Sequence, residues 1–168
     1  MNTSIAYRTG TIADIAQLMT VGQVAYGQYA SVLTPENFAI LNKFLHNEQA
    51  YMELINDSYP FVAEQEGQIV GMAFLVTSGH PNDIYDKDWS YIRMVGVVPA
   101  VAGKGVAKRL TAMCIEKAQS LGEQTIALHT SEFMDAARHI YEKAGFRMLR
   151  EIPPRFGKRY WLYTMALQ

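Results

Sequence analysis

The stretch "VVPAVAGKGVAKRL", Val97 to Leu110, decides how the chain is read. An apolar run passes into a Gly-Lys-Gly triplet, and a helical pattern begins directly behind it. A helix N-terminus leaves its first amides unpaired and carries partial positive charge. Glycines let a ligand approach such backbone closely. Gly103 and Gly105, between a strand and a helix, therefore suit a phosphate, although a ligand-free strand-to-helix turn has the same composition. Two phosphate motifs fail. The P-loop needs glycine where Val98 stands and Ser or Thr where Gly105 follows Lys104. The dinucleotide fingerprint fits Gly103 and Gly105 but meets Lys108 at its third position, and several elements precede the strand that should open its domain.

Working outward, the spacing predicts a helix from Gly103 to Leu121, with Val106, Leu110, Met113 and Cys114 inward and Gly122 as its stop. "QTIALHT" follows as a short strand. Phe133 to Ala144 is a second helix, striped by Phe133, Ala137, Ile140 and Tyr141 and ended by Gly145. The tail offers two strands, "FRMLREI" and "KRYWLYTMAL". Upstream, "WSYIRMVGVV" is rich in β-branched and aromatic residues and reads as a strand. "YPFVAEQEGQIVGMAFLVTS" is a hairpin turning at Glu66-Gly67. "SGHPNDIYDKD" is a long loop. "SIAYRTGT" is a first strand, after which Thr11 caps a helix with Asp14 as its capping-box partner. Thr34-Pro35 starts another helix through Phe38, Leu41 and Leu45. The order is strand, two helices, three strands, helix, strand, helix, two strands. This predicts an α/β fold with a mixed, mostly antiparallel central sheet and helices on both faces. The unit from Trp89 to Thr130 should be parallel and right-handed.

Bulk properties fit one domain over residues 1–168. Hydrophobic residues make up 49% and charged residues 18%, a globular balance. A net charge of -1 supplies no overall field to draw the chain to nucleic acid or an anionic membrane. The lone Cys114 forms no internal disulfide. The first residues lack the basic head and apolar run of a signal peptide. No apolar stretch reaches the roughly 20 residues that span a bilayer. A soluble cytoplasmic protein is expected. The four histidines are scattered and no Cys-x-x-Cys occurs, so no metal site is expected.

"GVVPAVAGKGVAKRL" resembles the acetyl-coenzyme A loop of the GNAT family of N-acetyltransferases. That family's pattern is Arg/Gln-x-x-Gly-x-Gly/Ala after a strand ending in Val-x-Pro. Val97, Val98 and Pro99 supply the strand end, and Gly105 and Ala107 the last two motif positions. Ala102 stands where Arg or Gln is usual. A second segment, "MDAARHIYEKAGF", resembles the later helix Asn-x-x-Ala-x-x-Leu-Tyr-x-x-x-Gly-Phe. Ala137, Ile140, Tyr141, Gly145 and Phe146 fit it, with Met134 in place of Asn. The resemblance implies a sheet splayed between the fourth and fifth strands. It further implies that acetyl-coenzyme A enters the gap along Val95, Val97 and Val98, with its diphosphate on Ala102, Gly103, Lys104, Gly105, Val106 and Ala107 and with Met134 and Tyr141 nearby.

The reaction implied is direct transfer of the acetyl group to a primary amine of a small molecule, peptide or protein. A lysine-like amine has an unperturbed pKa of about 10.4, so a proton must leave it, and the departing thiolate must be stabilised. Tyr141 is assigned the second role by resemblance; spacing alone also fits a packed tyrosine. Glu64, on the hairpin, is the candidate base, against a reading as a solvated strand-end carboxylate. Strict alternation puts Trp89, Tyr91, Arg93, Val95 and Val97 on one face. Arg93 there either binds an acidic substrate or pairs with a buried carboxylate. His129 has the unperturbed pKa for proton transfer, but a structural histidine with a backbone partner is the favoured reading. The acceptor pocket is expected from Val21 to Tyr59 and Ser78 to Asp88, with Tyr26, Tyr29, Tyr51, Tyr85 and Trp89 giving it an aromatic lining. Cys114 reads as a buried, inert thiol. The tail strand offers an edge for a homodimer. The alternative to an enzyme is a non-catalytic acyl-coenzyme A sensor, which the unusual Ala102 and Met134 would suit.

Overall fold

Glu66 and Gly67 take φ of 52° and 77° in the computed structural model, which describes residues 4–168. Two positive φ values in a two-residue turn give the twist that joins antiparallel strands tightly. The strands joined are β2 (Tyr59–Gln65) and β3 (Gln68–Val76). They form part of a seven-stranded sheet of order β1-β2-β3-β4-β5-β7-β6, with β1 at Ala6–Thr9, β4 at Ser90–Val97, β5 at Thr125–Ser131, β6 at Arg147–Arg155 and β7 at Lys158–Ala166. Every neighbouring pair is antiparallel except β4 and β5.

Helices cover both faces because both faces of β3 are apolar. One face carries α4 (Val106–Ser120) and α5 (Asp135–Ala144). There Val106, Leu110 and Cys114 pack with Ala73, Leu75, Ile92, Ile126 and Leu128. A Cβ on Gly71 would come within 2.7 Å of Val106 Cγ1, so α4 lies directly on β3 at that glycine. The other face carries α1 (Ile15–Gly27) and α3 (Glu48–Asn56), whose Leu18, Val21, Tyr51 and Leu54 meet Val62, Met72 and Phe74. Between them in sequence lies α2 (Pro35–Leu45), where the Thr34 side chain accepts from the Asn37 amide at 3.2 Å.

Three expectations change. The helices between β1 and β2 number three, because Asn47 caps a short α3 by accepting from the Ala50 amide at 3.2 Å. The helix expected from Gly103 begins at Val106, since Gly103 and Gly105 both take φ of 78°. The tail strand β7 is interior, bonded to β5 on one side and β6 on the other. It offers no edge to a partner, and the sheet edges are β1 and β6.

Candidate functional site

The site begins where two strands part. β4 and β5 pair only at Ser90↔Ile126 and Tyr91↔Ala127, although β4 continues to Val97 and β5 to Ser131. Beyond Tyr91 the β5-facing edge of β4 has no strand partner. A bulge sharpens the divergence. Met72 pairs with Gly96 but Phe74 with Arg93, so two residues, Met94 and Val95, stand against Ala73. Met94 takes φ of 51° to allow this, and a bulge of this kind bends and re-aims a strand. Strict alternation therefore fails within β4. Ile92, Val95 and Val97 pack toward α4, Met94 packs toward α1 and α2, and Tyr91 joins the opposite cluster from Val95. The expected shared face of Tyr91, Arg93, Val95 and Val97 is corrected accordingly.

A cavity of about 310 Å³ fills the gap. Val95, Met134 and Tyr141 line it, as do Tyr26, Tyr29, Arg93 and His129. Tyr26 is held by donating to the Val95 carbonyl at 3.1 Å. Its ring meets Tyr29 edge-on at 5.8 Å, and Tyr29 meets Phe133 at 4.8 Å. Leu41 and Phe44 of α2 close the apolar wall. Tyr51, Tyr85 and Trp89, expected in the pocket, do not line it. Tyr51 is buried between α1 and α3, and Tyr85 stands behind His129.

Tyr141 is 7% exposed and its ring packs edge-on to Phe146. Burial pushes its phenol well above the ordinary value, so the hydroxyl keeps its proton. It makes no hydrogen bond to another side chain or backbone group among the described residues, and it borders the cavity. His129 Nδ1 shares a hydrogen bond with the Tyr85 hydroxyl at 2.6 Å. Tyr85 is buried, so this contact fixes the orientation of the imidazole. Burial first, then the charges of Arg155 and Arg93, pulls the His129 pKa down to about 4. His129 is neutral at pH 7 and a weak base.

The turn from β4 into α4 runs on from this cavity. Ala102, Gly103, Lys104 and Gly105 are exposed. A Cβ on Gly103 or Gly105 would meet nothing within 4 Å. The first hydrogen bond into the helix runs from the Arg109 amide to the Gly105 carbonyl at 3.0 Å, which leaves the amides of Val106, Ala107 and Lys108 ahead of the ladder. Val97 and Val98 connect cavity and turn, and the Val98 amide is already bonded to Val70 at 2.9 Å.

Glu64 is not brought to the cavity. It lies on β2 beside β1, and its carboxylate pairs with Arg8 at 3.2 Å. Arg8 also binds Asp14 at 2.9 Å, so Glu64 belongs to a surface network that ties β1 to the start of α1. Cys114 is fully buried under α4, and burial raises its thiol pKa. Arg155, Phe156 and Tyr160 line the cavity although sequence reasoning passed over them. The one local signal was "RFGK", a turn formed with φ of 54° at Phe156 and 73° at Gly157. Its destination is tertiary: a Cβ on Gly157 would fall 2.7 Å from Asn37 Nδ2, so the β6–β7 turn folds against α2.

A splayed parallel pair, a bulge beside it and a glycine turn opening the following helix are the features that place the chain among known folds. The profile of the Acetyltransferase (GNAT) family matches residues 27–146. The chain belongs to that family. It is 34% identical over 87 residues to the uncharacterized N-acetyltransferase YjgM of Escherichia coli (strain K12), covering 51% of this chain and 49% of that protein. The chain thus spans about half the length of that relative. The probable N-acetyltransferase camello of Xenopus tropicalis is 27% identical across 98% of this chain and 74% of its own. The fold matches a Thermoplasma acidophilum PaiA N-acetyltransferase solved in complex with coenzyme A, with a TM-score of 0.78 at 15% identity over 97% of this chain and 99% of that one. YncA of Salmonella typhimurium, solved with its cofactor acetyl-CoA, matches at 0.70 and 20% identity over 98% and 94%.

Proposed function

We propose that this protein is an N-acetyltransferase that moves the acetyl group of acetyl-coenzyme A to a primary amine by direct attack. The observation that carries the reading is the gap between β4 and β5, with the Tyr141 hydroxyl unbonded at its wall and the glycine turn at its end. The residues fit the coenzyme. Gly103 and Gly105 have open space where side chains would stand, and the α4 amides are free to receive a diphosphate. The open edge of β4 near Val95 to Val98 suits an extended arm laid alongside it. Ala102 contributes backbone only, and Met134 contributes an apolar thioether where the family pattern has an amide.

When bound, the coenzyme supplies an activated acetyl thioester. The chain's own residues then do three things. Tyr26 and Tyr29 with the α2 wall orient the acceptor and exclude water. The cavity has no carboxylate and carries positive charge, so it favours the neutral amine over ammonium, and the ammonium proton leaves to solvent. The protonated Tyr141 hydroxyl donates to the sulfur as the C–S bond breaks and the C–N bond forms. The second proton lost by the amine passes to solvent, from which Tyr141 regains the proton it gave to the thiol.

Thiol release from acetyl-coenzyme A across an amine panel, with the acetylated product weighed by mass spectrometry, tests this. The expected result is acceptor-dependent release matched mole for mole by acetylated amine. Tight coenzyme binding with no such release would mark a sensor instead.

A further inference from the structure

The cavity contains two guanidinium groups and no acid. Arg93 reaches it from β4 and Arg155 from the end of β6, on opposite sides of the gap. Neither makes an ion pair with a carboxylate among the described residues, and no Asp or Glu lines the cavity. Both act on the same imidazole, that of His129. Arg155 is held there by the β6–β7 turn against α2. What distinguishes these two arginines is their place: both border one cavity, beside an apolar wall, with no carboxylate in its lining. Arg93 is half-buried and Arg155 exposed, so both guanidinium groups are open to an arriving anion. The arginine fork matches a carboxylate in two-point geometry. The coenzyme's phosphates have their own seat at the glycine turn beyond the other end of β4. A purely cationic acceptor would be repelled.

Resting on the acetyltransferase reading, we propose that the acceptor is an amino carboxylate: a primary amine and a carboxylate on one short apolar body. Arg93 and Arg155 clamp the carboxylate. The body lies against Leu41, Phe44, Phe133 and Phe156. The amine is then turned toward Val95 and Tyr141.

The probes are L-phenylalanine, L-phenylalaninamide and 3-phenylpropanoate, tested on the wild type and on Arg93→Gln/Arg155→Gln. In the wild type kcat/KM should favour phenylalanine over its amide by at least about tenfold, mainly through KM, and the double variant should bring the two within about threefold. An amide used as well as the acid, or a preference that survives in the double variant, would overturn the proposal. Calorimetry with 3-phenylpropanoate reads the clamp without turnover. Its affinity should fall by at least about tenfold in the double variant while coenzyme A affinity holds, since only the former meets the arginines. Equal binding to both proteins, or none to either, would overturn the clamp. If neither amine is acetylated yet 3-phenylpropanoate binding follows the arginines, the clamp stands and the acetyltransferase reading falls.

Discussion

At the residue scale, three side chains separate chemistry from support. In the proposed reaction Tyr141 is the one tied to the bond that breaks. Tyr141→Phe removes only an oxygen from a packed ring, so the fold and coenzyme affinity should hold while kcat falls by about 100-fold, the size of a lost acid. An unchanged kcat would end its catalytic assignment. Glu64 is the converse. Its carboxylate faces Arg8, so Glu64→Gln should leave kcat and its pH profile unchanged, at a cost of under about 1 kcal/mol for a partly exposed pair. His129 makes a pH statement. Its pKa falls from 6.5 unfolded to about 4 folded, so between those values the unfolded chain binds the extra proton. Stability from the neutral ring is complete above pH 6.5 and is lost as pH falls toward 4. Denaturant titrations should show the wild type losing up to about 3 kcal/mol over that window relative to His129→Gln. Parallel curves would show that the ring titrates normally.

At the element scale, the turn before α4 divides cleanly into strain and binding. Gly105 and Gly122 both take φ of 78°, and a Cβ on either meets nothing within 4 Å. Gly105→Val and Gly122→Val should therefore lower stability alike, by about 2 kcal/mol. Only the first should weaken coenzyme binding, by about 100-fold or more, because only there would the side chain stand where a diphosphate must approach. Equal affinities measured by calorimetry would move the diphosphate elsewhere. This turn was legible in the sequence because left-handed backbone needs glycine and because a helix must start somewhere. The bulge in β4 was not. Met94 carries no mark of positive φ, a conformation that side chains like methionine seldom adopt, and alternation gives no warning of the face it exchanges. Short α3 escaped for a related reason: nine residues with a charged outer face sit too close to the end of α2 to show a separate period.

At the scale of the whole molecule, the layer order and the parallel β4–β5 pair followed from hydrophobic period and connection rules. What those rules do not carry is which distant segments meet. The β6–β7 turn arrives at the cavity from the far edge of the sheet, bringing Arg155 and Phe156. Nothing within "RFGK" names α2 as its neighbour. The place of Glu64 was hidden in the same way, since its distance from the gap depends on strand order. Of the cavity lining, Val95, Met134 and Tyr141 were legible through motif spacing, and Tyr26, Tyr29, Arg93 and His129 were picked out by residue type and strand position. The central claim is that the gap between β4 and β5 is the reaction site. The measurement that tests it most directly is a crystal structure with acetyl-coenzyme A bound. Diphosphate oxygens are expected about 3 Å from the amides between Gly103 and Ala107, with the thioester in the cavity beside the Tyr141 hydroxyl. A coenzyme seated with its diphosphate away from that turn, or its thioester outside the gap, would contradict it.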